Sequence, residues 1–424
     1  MINGIDKRQL SDNVHLHLVK SDKFKTDLVG VYIKRPLNED EAAKNALLTR
    51  IIERATMAYP TSKALAIKLE ELYGAVIAAD VVKYGEKQVL QFKVQLPNEK
   101  LLQEEGIFEE GLSLLNGVLL DPLVEDGGFN KEYFENEVNN LKDEIQSRIN
   151  DKMTYAMERC IEEMCAEEPY RIYQYGDVED LEGITPQSLY EHYLKVMTTS
   201  EIEICVIGDI DFDKAEAQIK EALSFEVEEC VAYPAEDNGV RVAEVREVED
   251  RFNINQGKLS IGYRTHTSMS DPLYEASVVF SYILGGGANS KLFKNVREKE
   301  SLCYYIFARN EKYKSIMIVG SGIEFENKDK ALTLIDHEFN EMLEGNFTDE
   351  DLRIAKDNLK SSLNSISDFQ NSFINYYYST ILSGKEFDIE ARKTAIERVT
   401  KEEVIKAGMR IEKDTIHFLN KEEA

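Results

Sequence analysis

The chain has 424 residues, too many for one ordinary core, and a Leu-, Ile- and Val-rich, proline-poor composition without low-complexity tracts, which implies two or more domains folded throughout. Acidic residues outnumber basic ones 79 to 51, for a formal charge of −28. That surface repels phosphate backbones and anionic bilayers, so nucleic acid and membrane are excluded as partners, whereas solubility and attraction of basic peptides both fit it.

In chain order, residues 1–8 lack the apolar core of an export signal, and no apolar run is long enough to span a bilayer, so a cytoplasmic location is expected. Two β patterns follow, at 14–19 and 28–33, and within the first the pair His15-x-His17 puts two imidazoles on one strand face, where nothing nearby in sequence supplies a third metal ligand. Helical patterns occupy 41–54 and 62–72, strands 76–82 and 88–94, and helices 108–119 and 131–165. On the last of these, Phe134, Val138, Leu141, Ile145 and Ile149 form an apolar stripe with Glu137 and Glu144 two turns apart at its border. A helix at 186–195 and a strand at 203–208 close the first half. Residues 225–251 turn Glu-rich and irregular. The expected domains are therefore 1–224, a linker over 225–251, and 252–424.

The second half repeats the plan from residue 258. Residues 129–142 match 347–360, and Ile184-Thr185-Pro186-Gln187 has a counterpart in Val399-Thr400-Lys401-Glu402, in the same order, which suggests duplication. The run Leu284-Gly285-Gly286-Gly287-Ala288-Asn289-Ser290 ends a helix over 272–284. Its glycines meet a left-handed or a close-packed requirement, and Asn289 or Ser290 can cap the next helix. Without G-x-G-x-x-G or G-K-S/T spacing it is not a nucleotide loop. Downstream, Arg297 offers planar donors to a peptide carbonyl and Tyr304 a phenol donor, the chemistry that holds a scissile amide and its oxyanion. Cys160, Cys165, Cys205, Cys230 and Cys303 are scattered without C-x-x-C spacing and are expected to be reduced thiols. His192, His266, His337 and His417 are isolated, and no Ser-His-Asp or Cys-His constellation is visible.

These patterns, taken together over nearly the whole chain, resemble the pitrilysin, insulinase and mitochondrial processing peptidase family of inverted zincins, in its short bacterial branch. Within that branch the chain is most similar to the inactive member of a Gram-positive pair named for association with elongation factor P modification. The resemblance implies an α+β fold of two similar domains, each a mostly antiparallel sheet with helices on one face, forming half of a clam-like chamber. The family places H-x-x-E-H, two zinc ligands flanking a general base, on the helix that runs up to Tyr59-Pro60. Here Ala46, Thr49 and Arg50 hold those three positions. Alanine cannot ligate, threonine is a poor base, and arginine is a fixed cation. Glu137 and Glu144 match the family's second-shell glutamate and third zinc ligand, but one carboxylate does not hold zinc. The family also adds substrate as a strand where an Asn-Ala pair is usual, and Ile77 replaces the Asn.

Arg297 and Tyr304 hold the places of the family's substrate-contacting pair. The resemblance therefore implies a catalytically incomplete subunit with no cofactor of its own, zinc being expected only in a homologous H-x-x-E-H partner. That partner would form a heterodimer with this chain, while the isolated chain forms a homodimer, and peptide is the substrate. The alternative is a purely structural or peptide-binding protein of the same fold. In place of metal, Arg50 and Glu144 are expected to form a partly buried salt bridge joining their two helices.

Overall fold

The computed structural model describes residues 2–234, 236 and 239–422. Alternating apolar residues in its first half build a six-stranded sheet. The strands are β1 (Ile2–Ser11), β2 (Val14–Ser21), β3 (Thr26–Pro36), β4 (Val76–Tyr84), β5 (Lys87–Pro97) and β6 (Glu201–Gly208), in the order β1-β2-β6-β3-β5-β4. All neighbours are antiparallel except β2 and β6. One face, carrying Leu16, Val31, Phe92 and Ile204, packs against helix α1 (Glu39–Ile52), helix Ile107–Leu120 and helix α2 (Lys131–Ser147) in one apolar core.

The continuous helix expected over 131–165 is two. α2 ends at Ser147, a single 3-10 turn follows, and α3 (Lys152–Met164) begins afresh. The break is chemical: Asp151 leaves helical geometry at φ −89°, ψ 85°, and its carboxylate accepts from the amides of Met153 and Thr154. An aspartate that can bond its own downstream backbone prefers such a cap to a helix interior.

The second sheet has five strands, β7 (Arg246–Phe252), β8 (Gly257–Arg264), β9 (Cys303–Glu311), β10 (Ile316–Ile323) and β11 (Glu412–Lys421), in the order β9-β10-β8-β11-β7. β7 takes up the end of the stretch expected to be irregular and runs one residue past it. Its charged sequence hides a strand because it is an edge, parallel to β11 on one side only. β1 also went unread, since Ile2–Ser11 has little apolar alternation. The matched repeats open helices in corresponding ways. Asn130 Oδ1 accepts from Tyr133 N at the start of α2, and Thr348 caps Asp349–Ile366. Thr185 and Thr400 each form a capping box.

The chain divides into two compact units that each borrow from the other half of the sequence. The first runs to Gln146 and includes Ile172–Pro234 and Gln370–Tyr378; the second takes Ser147–Arg171 with the remainder. Within the first unit, the opening residues of helix α4 (Gln370–Leu382) cover the sheet face opposite the core. Gln370 Nε2 donates to the carbonyls of Thr26 and Ile207, Lys93 donates to Asn371 and Asn375, and Tyr378 stacks on Tyr32 with centroids 4.1 Å apart.

Candidate functional site

Asn38 caps α1 by accepting from Glu41 N, and the helix carries its tested residues in two classes. Ala46 and Thr49 are buried, Ala46 within the apolar core, and Thr49 Oγ1 donates to the Ala46 carbonyl at 2.9 Å. The first ligand position is thus filled by packed atoms, and the hydroxyl in the base position is spent on its own helix. Asn45 is held by Gln88 at 2.7 Å and His192 at 2.8 Å. Burial pushes the His192 imidazole down to about 4, so it stays neutral as a structural partner.

Arg50 and Arg54, one turn apart, face Glu144 and Glu137, two turns apart on α2. Arg50 Nη2 reaches Glu144 Oε2 at 2.6 Å, and Arg54 Nε reaches Glu137 Oε1 at 2.8 Å. The ion pair expected of Arg50 and Glu144 is present, but its carboxylate is more open than expected, 43% exposed against 4% for the side chain of Glu137. Glu137, placed at the border of the apolar stripe in the sequence, is the buried member of the pair of pairs. Although burial opposes it, Glu144 holds the Arg50 guanidinium above its ordinary range. That guanidinium also lies 5.3 Å from the centre of the Tyr175 ring, and Tyr175 OH donates to Asp80 at 3.1 Å. Two permanent cations thus face the two carboxylates of α2, an arrangement that matches guanidinium to carboxylate.

Beside it, β4 is the sheet edge, with Ile77 on it. The Ala79 amide donates to Glu53 Oε2 at 2.8 Å, and the Val81 amide to Asp80 Oδ1 at 2.8 Å. Burial raises both carboxyl pKa values above their ordinary range. Two edge amides that an added strand would use already have acceptors.

In the second unit, Gly285 and Gly286 answer the alternatives left open: neither has positive φ, and Gly285 is required by close approach, since a Cβ there would lie 2.2 Å from Ala308 N. Ser290 Oγ accepts from Phe293 N and starts a helix whose part Phe293–Lys299 is wound as a π-helix. That uncommon winding accompanies functional sites. Arg297 is exposed, its guanidinium 4.4 Å from the centre of the Phe293 ring. Tyr304 opens β9, is 64% exposed, and donates to Glu324 Oε1 at 3.0 Å. Phe293 also lines a cavity of about 920 Å³ with Tyr282, Gly286, Phe307, Arg309 and Arg392.

Of the residues singled out in the sequence, the structure pairs Arg50 with Glu144, while Glu137 meets Arg54, and Arg54, Glu53, Asp80 and Tyr175 were not singled out. Arg54 was readable: four residues after Arg50, it forms a ladder with two glutamates seven apart.

The model of the peptidase M16 inactive domain matches residues 183–359. The probable inactive metalloprotease YmfF of Bacillus subtilis (strain 168) is 36% identical over 405 residues, 95% of each chain. Among solved structures, a conserved protein from Enterococcus faecalis V583 superposes with a TM-score of 0.92 at 28% identity, covering 99% of both chains. The peptidase M16 inactive domain from Pseudomonas fluorescens, at 18% identity, gives 0.81 over 99% of both chains and shares the fold. With the helix that should carry the zinc ligands holding Ala46, Thr49 and Arg50, the chain belongs to the M16 peptidase family as an inactive homologue.

Proposed function

We propose that this chain is the non-catalytic subunit of a heterodimeric zinc peptidase, in which a homologous partner with H-x-x-E-H holds the catalytic metal and this chain lends Arg297 and Tyr304 to the peptide. One observation carries the reading. On α1 the family's ligand and base positions are held by Ala46, Thr49 and Arg50, yet an exposed guanidinium and an exposed phenol remain on a π-wound helix and the strand that follows it. Arg297 would hold a substrate carbonyl and Tyr304 would donate to the developing oxyanion. In this reading the chain works in the cytoplasm, its halves are divided at 1–224 and 252–424, and its acidic surface draws in basic peptides. The acceptors on the β4 amides support a substrate strand held by the partner rather than by this edge. The same capped edge favours, as a second reading, a structural role without proteolysis.

The experiment is reconstitution with an H-x-x-E-H relative from the same organism. Peptide cleavage is expected only in the mixture, and Tyr304→Phe is expected to slow it about a hundredfold without changing assembly by size-exclusion chromatography. Arg297→Ala should act similarly. A stable complex whose turnover ignores both substitutions would refute the first reading and leave the second.

A further inference from the structure

On the sheet face away from the core, β2 and β6 run parallel with His15 opposite Glu203. Because side chains alternate along strands, His15 and His17 share that face with Glu201 and Glu203. A ring nitrogen of His15 and one carboxylate oxygen from each glutamate lie within 4.8 Å of one another. Two further ligands for His15 thus come from a strand nearly two hundred residues away.

We propose that His15, Glu201 and Glu203 bind a divalent transition-metal ion of the zinc class, with His17 and Tyr377 orienting Glu203. Glu203 is a built ligand rather than a solvated one. Its side chain is 9% exposed, and its Oε2 lies 2.5 Å from His17 Nε2. His17 Nδ1 is in turn 3.0 Å from Tyr377 OH. A phenol donating to Nδ1 and an Nε2–H donating to Glu203 leave Oε1 turned to His15, 3.5 Å from Nδ1. That Nδ1 is shielded from solvent and makes no hydrogen bond. A buried imidazole nitrogen that makes no hydrogen bond, 3.5 Å from a carboxylate oxygen, is a cost that a bound cation removes. A carboxylate fixed by a histidine and a phenol behind it is the kind of outer support that metal ligands receive.

One imidazole and two carboxylates suit zinc, manganese or ferrous iron, and zinc bonds of roughly 2.0–2.2 Å require the three donors to close by only about an ångström. His15 and Glu201 are 33% and 31% exposed, which leaves a path for the ion and room for water as a further ligand. Lys34 competes: its ammonium pairs with Glu201 and lies 4.5 Å from the centre of the Tyr233 ring. Binding therefore requires this ammonium to release Glu201.

The test uses the full-length chain, stripped with chelator and titrated with Zn²⁺ by calorimetry and with Co²⁺ by visible absorption. One equivalent is expected. His15→Ala, at a partly exposed position that folding tolerates, should weaken binding at least about tenfold, and Glu203→Gln likewise. Lys34→Gln, which keeps every ligand, should tighten it several-fold, and Glu144→Gln should leave it unchanged. No saturable binding by folded protein, or binding that survives His15→Ala, would overturn the proposal. Affinity not raised by Lys34→Gln would remove Glu201 as a ligand and overturn it equally.

Discussion

Replacing Arg54 by methionine is expected to destabilise the chain far more than the same change at Arg50, although Arg50 on α1 and Arg54 in the turn after it both meet glutamates of α2. Glu137 is almost wholly enclosed, its Oε1 forms an ion pair with Arg54 Nε at 2.8 Å and accepts a hydrogen bond from Asn140 Nδ2 at 3.2 Å, and its Oε2 is buried without a hydrogen bond. Removing the guanidinium leaves this carboxylate with one neutral donor. Breaking a buried pair from one side costs about 3–5 kcal/mol, and the 40% exposure of Arg54 places the loss nearer 2–3 kcal/mol. Glu144, at 43% exposure, can turn to water instead, so Arg50→Met should cost about 1 kcal/mol or less. For a unit of roughly two hundred residues each kcal/mol moves the midpoint by about 2–4 °C. Calorimetry should therefore find Tm lowered by about 5–10 °C in Arg54→Met and by no more than about 4 °C in Arg50→Met. Adding Glu137→Gln to Arg54→Met should recover part of the loss. Equal losses at the two arginines, or a double variant no better than Arg54→Met alone, would refute the reasoning.

The cycle Arg50→Met with Glu144→Gln should be non-additive by less than about 1 kcal/mol, read from urea midpoints at low salt, and should shrink as salt is raised. Because His192 is held near 4 and would titrate near 6.5 when unfolded, its contribution is complete above pH 6.5 and is lost as pH falls towards 4. The total is about 3 kcal/mol, and His192→Gln should flatten this loss. The comparison must be variant against parent, because Asp27, pushed up to about 6 by burial, loses stability in the opposite direction as pH rises through the same window. Gly285→Ala should cost about 1–3 kcal/mol by thermal unfolding, since its Cβ would press on the Ala308 backbone.

Much of the first unit's site was legible because it is local. The three non-ligating residues lie on one helix, and the glutamates that answer Arg50 and Arg54 lie on another at whole-turn spacing. Alternating apolar residues announced β2, β3 and β5 for the same reason. What stayed hidden depends on partners remote in sequence. The burial of Glu137 requires knowing how α1 and α2 pack, and the pairing of His15 with Glu203 depends on a strand register that no local pattern encodes. The edges β1 and β7 carry charge where a central strand would carry valine, so periodicity passed over them. The break at Asp151 was in the letters but lost inside an otherwise helical apolar stripe.

The borrowing between halves has a consequence for how the chain is made. The strands of the first sheet are complete once Gly208 has been synthesised, but the residues that cover its polar face, Gln370–Tyr378, leave the ribosome only after β7, β8, β9 and β10 of the second sheet have been made. Until then Tyr32 lacks the ring that stacks on it, and the backbone carbonyls of Thr26 and Ile207 lack the side-chain amide that bonds them. The first unit therefore cannot finish folding until most of the second has been synthesised. A gene split between the two sequence halves would yield a first fragment without its covering residues and a second without α3, so the pieces would have to be produced together to regain either unit.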